Sequence, residues 1–123
     1  MVGWEHSFRM NDEQLAICKK YGSAYVEADD EEIVGVALET LSKQPLYGVR
    51  IMPTDKTTGW YICGGTWSDA PDFYQPVCLS HLRERCPSVW KYLSLEPGFK
   101  FLIDHAGYED VWKEPEILGQ PTQ

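Results

Sequence analysis

The chain has 123 residues, and its 11 Lys and Arg stand against 19 Asp and Glu, a formal net charge of −8. A content of 43% hydrophobic and 13% aromatic residues suffices to bury roughly two-thirds of the unfolded surface, which excludes a disordered tail and fits one domain over residues 1–123. The acidic balance without a Lys/Arg stripe argues against nucleic acid, and no apolar run approaches the ~20 residues that cross a bilayer.

In chain order, residues 1–10 hold Trp4 and Phe8 among polar neighbours and read as an N-terminal arm. The same opening, MVGWEHSFRM, lacks the basic-then-apolar layout of a signal peptide, so a cytoplasmic location is expected. Asn11 then precedes acids, with Lys19 and Lys20 eight and nine residues on and Gly22 beyond; these start and stop signals predict a helix from Asp12 to about Tyr21. Ser23–Glu27 is β-prone and reads as a short edge strand. Glu27, Asp29, Asp30, Glu31 and Glu32 crowd ahead of Ile33, Val36, Ala37, Thr40 and Leu41, which recur at helical spacing. The prediction is a second helix capped by Asp29 or Asp30 and ending near Lys43, because Gln44 precedes Pro45.

From Leu46 the period changes to two, which predicts a strand over 46–52. A polar connection, Pro53–Gly59, leads to a second apolar strand, Trp60–Cys63, and the two predict an antiparallel hairpin. Gly64–Gln75 reads as a long loop carrying aromatics, Val77–Arg85 as a short helix with Leu79 and Leu82 inward, and Ser88–Leu93 as further helical turns. Phe99–Asp104 and the segment YEDVW predict a second hairpin, and residues 113–123 a frayed tail. The expected fold is α+β: an antiparallel β-sheet built from two hairpins, with helices packed on one face.

Few residues point to chemistry. Cys18, Cys63, Cys78 and Cys86 include no CxxC pair, so buried reduced thiols are expected and no metal or cofactor. The acidic run lacks the spacing of a calcium loop and fits a solvated helix cap or a partner-binding patch. Cys78 and His81 sit three apart on a predicted helix, where a thiolate nucleophile can be drawn, but nothing supplies an orienting group or an oxyanion hole. Asp104 and His105, with Glu109 and Asp110, place carboxylates near one imidazole; the turn at His105–Gly107 explains the same residues. No catalytic residue is assigned on these grounds. Gly64–Gly65 lacks a phosphate-loop pattern. Trp67, Phe73 and Tyr74 are different: they lie with Asp69 and Asp72 in an irregular segment, and aromatic anchors beside charge are typical of protein-binding hot spots. The competing reading is a loop that buries its own rings.

The order KKYGSAYV, YGVRIMP, GWYICGGTWSDAPDFYQPVCLSHL and CPSVWKYLSLEPGFKFLID resembles the bacterial immunity-protein family numbered thirty-three over about residues 19–104. Gly48, Arg50 and Pro53, then Gly59, Trp60 and Gly64, then Pro87, Val89, Tyr92, Leu93 and Gly98 occupy the family's motif positions. The segment 30–43 and YEDVW lie outside that pattern. The resemblance implies a small cytoplasmic protein that neutralises a toxin by direct binding, without catalysis or cofactor. The candidate contact residues are then the acids Glu27, Asp29, Asp30, Glu31 and Glu32 and the loop residues Trp67, Asp69, Asp72, Phe73 and Tyr74. A small enzyme using a Cys/His or Asp/His pair and a regulatory binding module are the alternatives.

Overall fold

In the computed structural model, which describes the backbone of residues 2–119 and the side chains of residues 12–118, the elements run α1 (Val2–Tyr21), β1 (Ile33–Val36), β2 (Leu46–Arg50), β3 (Thr57–Gly64), β4 (Gln75–Cys78), α2 (Leu79–Arg85), β5 (Phe99–Ile103) and β6 (Glu109–Lys113). Single 3-10 turns occupy Leu38–Thr40, Pro87–Tyr92 and Pro115–Gly119. The six strands form one sheet in the order β4-β1-β3-β2-β5-β6. Both predicted hairpins are present, β2 with β3 and β5 with β6, joined antiparallel through β2 and β5.

The sheet is mixed, which corrects the expected antiparallel sheet of two hairpins. After β1 the chain turns and lays β2 on the far side of β3, so β3 returns in the direction of β1 and pairs with it parallel, while β4 adds antiparallel to the outer side of β1. Alternation directs Val34, Val36, Trp60, Ile62, Phe99 and Phe101 to one face, where they join Ile17 and Cys18 of α1, Leu79 and Leu82 of α2, and Val89, Tyr92 and Leu93 in one buried cluster.

Several predicted elements change. The helix expected over 30–43 is instead β1 followed by a 3-10 turn; Val34 and Val36 are fully buried at a spacing of two. The β-branched Ile33, Val34 and Val36 favour a pleated strand, and tertiary pairing on both sides overrides the helical spacing. Ser23–Glu27 makes only a single bridge, Tyr25 to Leu95. Asn11 lies inside α1, whose backbone is helical from Val2 and so takes in the stretch read as an arm; the side chains of Trp4 and Phe8 lie outside those described. The expected frayed tail begins as the last residue of β6 and a 3-10 turn to Gly119, and residues 120–123 lie outside the described residues.

Arg50 is 2% exposed and, among the described residues, forms no ion pair. Its Nε donates to the Thr58 carbonyl at 2.8 Å, and one terminal nitrogen donates to Val26 and Leu95 at 2.8 Å and to Leu93 at 3.5 Å. Burial lowers its pKa to about 10, so the guanidinium stays charged near neutral pH. Trp60, beside it, donates Nε1–H to the Leu93 carbonyl at 2.9 Å. Together they tie the segments around Val26 and Leu93–Leu95 to the sheet.

Candidate functional site

The acidic run caps no helix of its own. Asp29–Glu32 form a turn closed by Glu32 N–H donating to the Asp29 carbonyl at 3.0 Å and by Asp29 N–H donating to Glu32 Oε1 at 3.0 Å. The carbonyls of Glu32 and Asp30 accept from Leu79 and Ser80 at 3.0 and 3.1 Å, so the turn covers two of the open N–H groups at the start of α2. Asp30 pairs with Arg83 across 3.3 Å, while Asp29 and Glu31 point to solvent and Glu27 is exposed before the turn. The turn and Asp55–Lys56, at the tip of the β2–β3 connection, rim a shallow depression that reaches Ile33.

The aromatic loop divides between its two readings. Phe73 and Tyr74 pack edge to face with ring centres 4.9 Å apart, and Tyr74 lies edge-on to Tyr61 at 5.0 Å. The Tyr74 hydroxyl is buried against Cys63 and Trp67 without a well-formed hydrogen bond; burial first, then the neighbouring Cys63, raise its pKa well above the ordinary tyrosine value. These two rings are partly buried on the sheet face that Tyr61 and Cys63 share, away from α2. Trp67 remains 41% exposed, and Asp69 and Asp72 are exposed beside it. Gln75 fixes the end of the loop: its Nε2 donates to the Asp72 and Phe73 carbonyls at 2.7 and 3.1 Å, and its Oε1 accepts from Leu38 N–H at 3.0 Å.

The two sequence patches therefore sit at opposite ends of β1, which at ~3.3 Å per residue is about 10 Å long. Between them runs a groove of about 270 Å³, lined by Ile33, Gly35, Met52, Thr57, Tyr61 and Tyr74. Gly35 is required by close approach: a Cβ there would stand 2.6 Å from Tyr61 Cδ2. Sequence reasoning missed this groove because its lining comes from three separate stretches of chain. One signal was available. Tyr61 and Cys63 alternate with Trp60 and Ile62, so β3 is apolar on both sides, the mark of a strand whose second face is also covered.

The pairs considered for catalysis come apart. The helix starts at Leu79, so Cys78 pairs in the sheet with Ile33, and His81 is exposed on α2 outside any shared helical spacing with it. Asp104 Oδ1 accepts from Ala106 and Tyr108 N–H at 2.9 and 3.0 Å, a turn-closing role, while His105 is exposed. Glu109 faces elsewhere, taking hydrogen bonds from Tyr21, from Tyr92 at 2.5 Å and from Lys20 at 2.9 Å. Burial alone raises its pKa, but these three donors outweigh that and hold it at about 2. Among the described residues no three His, Cys, Asp or Glu side chains converge to hold a metal ion, and no helix is long and apolar enough to cross a membrane. All four cysteines are free, with Cys18, Cys63 and Cys86 buried and Cys78 half-buried.

Nothing matches this chain among curated proteins or among solved structures. A family model does match, that of the Imm33-like domain, and it spans residues 13–114, including the β1 segment and β6 that fell outside the motif pattern. Most of the motif residues within it are scaffold: Gly48, Arg50, Trp60, Val89, Tyr92 and Leu93 are all buried, and Gly98 N–H donates to the Arg50 carbonyl at 2.7 Å, while Pro53 and Pro87 are exposed. With most of its length inside that match, the chain belongs to the Imm33-like domain family.

Proposed function

We propose that this protein is a bacterial immunity protein that neutralises a cognate toxin in the cytoplasm by binding it directly, with no catalytic step and no cofactor. The observation that carries the reading is the family match over residues 13–114. It is supported by the division of labour in the chain. Most of the motif residues hold the interior, which leaves most of the exterior to differ with the partner. The contact surface in this reading comprises Glu27, Asp29, Asp30, Glu31 and Glu32 at one end of β1 and Trp67, Asp69, Asp72, Phe73 and Tyr74 at the other. The net charge of −8 suits a basic toxin domain.

The test is co-expression with toxin-domain polypeptides encoded beside this chain in its own genome. One of them should arrest growth when expressed alone and lose that effect when this protein is present, and the two should purify as a complex. Trp67→Ala, and charge reversal at Asp29 and Glu31, should each weaken the complex about tenfold or more. Arrest without protection and without a complex, for every such neighbour, overturns the reading.

A further inference from the structure

We infer that the groove between the acidic turn and the aromatic loop is an anchor site for one large apolar side chain, carried on a basic segment of a protein partner. This rests on the reading of the molecule as a binding protein, and it adds the chemistry of the partner and the place where the partner seats.

Size is the first argument. At about 270 Å³ the groove falls below the ~300–1,000 Å³ of pockets that enclose drug-sized ligands, while it is ample for a single aromatic or branched side chain. Polarity is the second. Several of the polar side chains in the lining are already engaged: the Thr54 and Thr57 hydroxyls bond to each other at 2.6 Å, the Gln75 amide is committed to Asp72, Phe73 and Leu38, and the Tyr74 hydroxyl is buried against Cys63 and Trp67. What remains facing the groove is mostly apolar, from Ile33, Met52 and the rings of Tyr61 and Tyr74. Met52, at the rim, is 52% exposed, so its flexible thioether side chain is free to pack against a guest and extends the apolar lining outward.

Charge selects the occupant. Ile33 belongs both to the groove and to the depression rimmed by Asp29, Asp30, Glu31, Glu32 and Asp55, where among the described residues Lys56 is the one cation in the lining and Arg83 pairs with Asp30 alone. Asp69 and Asp72 lie exposed beyond Tyr74 at the other end. A segment seated in the groove therefore meets negative potential on both sides of its anchor. Acidic segments are disfavoured by this field, and so is a second copy of this chain, since each copy carries −8. Lys or Arg flanking an aromatic or branched anchor fits.

The probe does not require the toxin. A capped five-residue peptide with a central tryptophan between pairs of Lys and Arg is titrated into isotope-labelled protein and followed by amide chemical shifts. Two further peptides replace the tryptophan by alanine or the basic flanks by glutamate. Shifts are expected at Gly35, Thr57, Gly59 and Tyr61, with both control peptides about tenfold weaker. Met52→Asp, a change at an exposed side chain, should weaken the tryptophan peptide several-fold and leave the fold intact. Shifts centred elsewhere, equal binding of the three peptides, or full affinity in Met52→Asp each overturn the proposal. If the peptide seats in the groove while no neighbouring toxin is bound, the immunity reading falls and the anchor site stands; if a toxin is neutralised equally well by Met52→Asp and the peptide leaves the groove amides unmoved, the reverse holds.

Discussion

Arg50, buried, and Glu109, half-buried, hold their charges in opposite ways. Arg50 is surrounded by backbone carbonyls, so its removal costs mainly through the acceptors it leaves behind. Arg50→Met keeps the length of the side chain but strips donors from Thr58, Val26 and Leu95, and is expected to lose ~3–4 kcal/mol in urea denaturation. Arg50→Lys, which cannot fork between two directions, should lose ~2 kcal/mol. A loss under ~1 kcal/mol in both variants would mean that water takes over the freed carbonyls. Glu109 instead gathers Tyr21, Tyr92 and Lys20 onto one carboxylate, joining the end of α1 and the Pro87–Tyr92 turn to β6. Its folded pKa of about 2 lies below the ordinary 4.5. A depressed carboxyl pKa stabilises the fold above the unfolded value, and that contribution disappears as pH falls from 4.5 toward 2. Lys20 is 62% exposed and screened by solvent, which reduces the expected loss to ~1–2 kcal/mol. Glu109→Gln should flatten this acid limb in pH-dependent thermal denaturation; an unchanged slope would place the acid sensitivity at other carboxylates.

The β2–β3 hairpin shows how local chemistry becomes a strand pairing. Gly59 adopts φ +87°, its carbonyl accepts from Ile51 N–H at 2.9 Å, and a Cβ there would run into the Ile51 carbonyl oxygen. Gly59→Ala is therefore expected to cost ~2 kcal/mol or more, with hydrogen-exchange protection falling first in β2 and β3. Uniform loss of protection across the sheet would instead show that the hairpin opens only with the whole fold. This hairpin and the β5–β6 hairpin were legible in the sequence because β2 and β5 alternate, Trp60–Cys63 is an apolar run bounded by glycines, and the connections are rich in turn residues. β1 was not legible. Ile33, Val36, Ala37 and Leu41 satisfy a helical period by coincidence, and the neighbours that make Ile33–Val36 a strand are β3 and β4, more than twenty residues away. The acidic run inherited the error, since it was read as the cap of a helix that does not form and proves to brace the start of α2. The aromatic loop was legible as a loop, but not its split between Phe73 and Tyr74, folded against the sheet, and Trp67, left 41% exposed.

In the proposed complex, the separation of charge from apolar surface makes affinity and association rate separable. The exposed carboxylates of Asp29, Glu31 and Asp55 act through water over a Debye length of ~8 Å at physiological salt, so their contribution is felt before contact. In that proposal the groove acts only once water has been displaced from it, so its contribution is felt in how long the complex lasts. Replacing Asp29 and Asp55 by Asn and Glu31 by Gln should thus lower the association rate with a basic partner about tenfold at low salt, leave the dissociation rate within about twofold, and weaken its salt dependence. Met52→Asp should do the converse, accelerating dissociation several-fold with little change in the response to salt beyond its own added charge. Stopped-flow mixing at two ionic strengths separates the four rates. Should the carboxylate variant act on dissociation alone, those acids would have to be desolvated pairs inside the interface; their role would then be contact, and the long-range field of the −8 charge would not govern encounter.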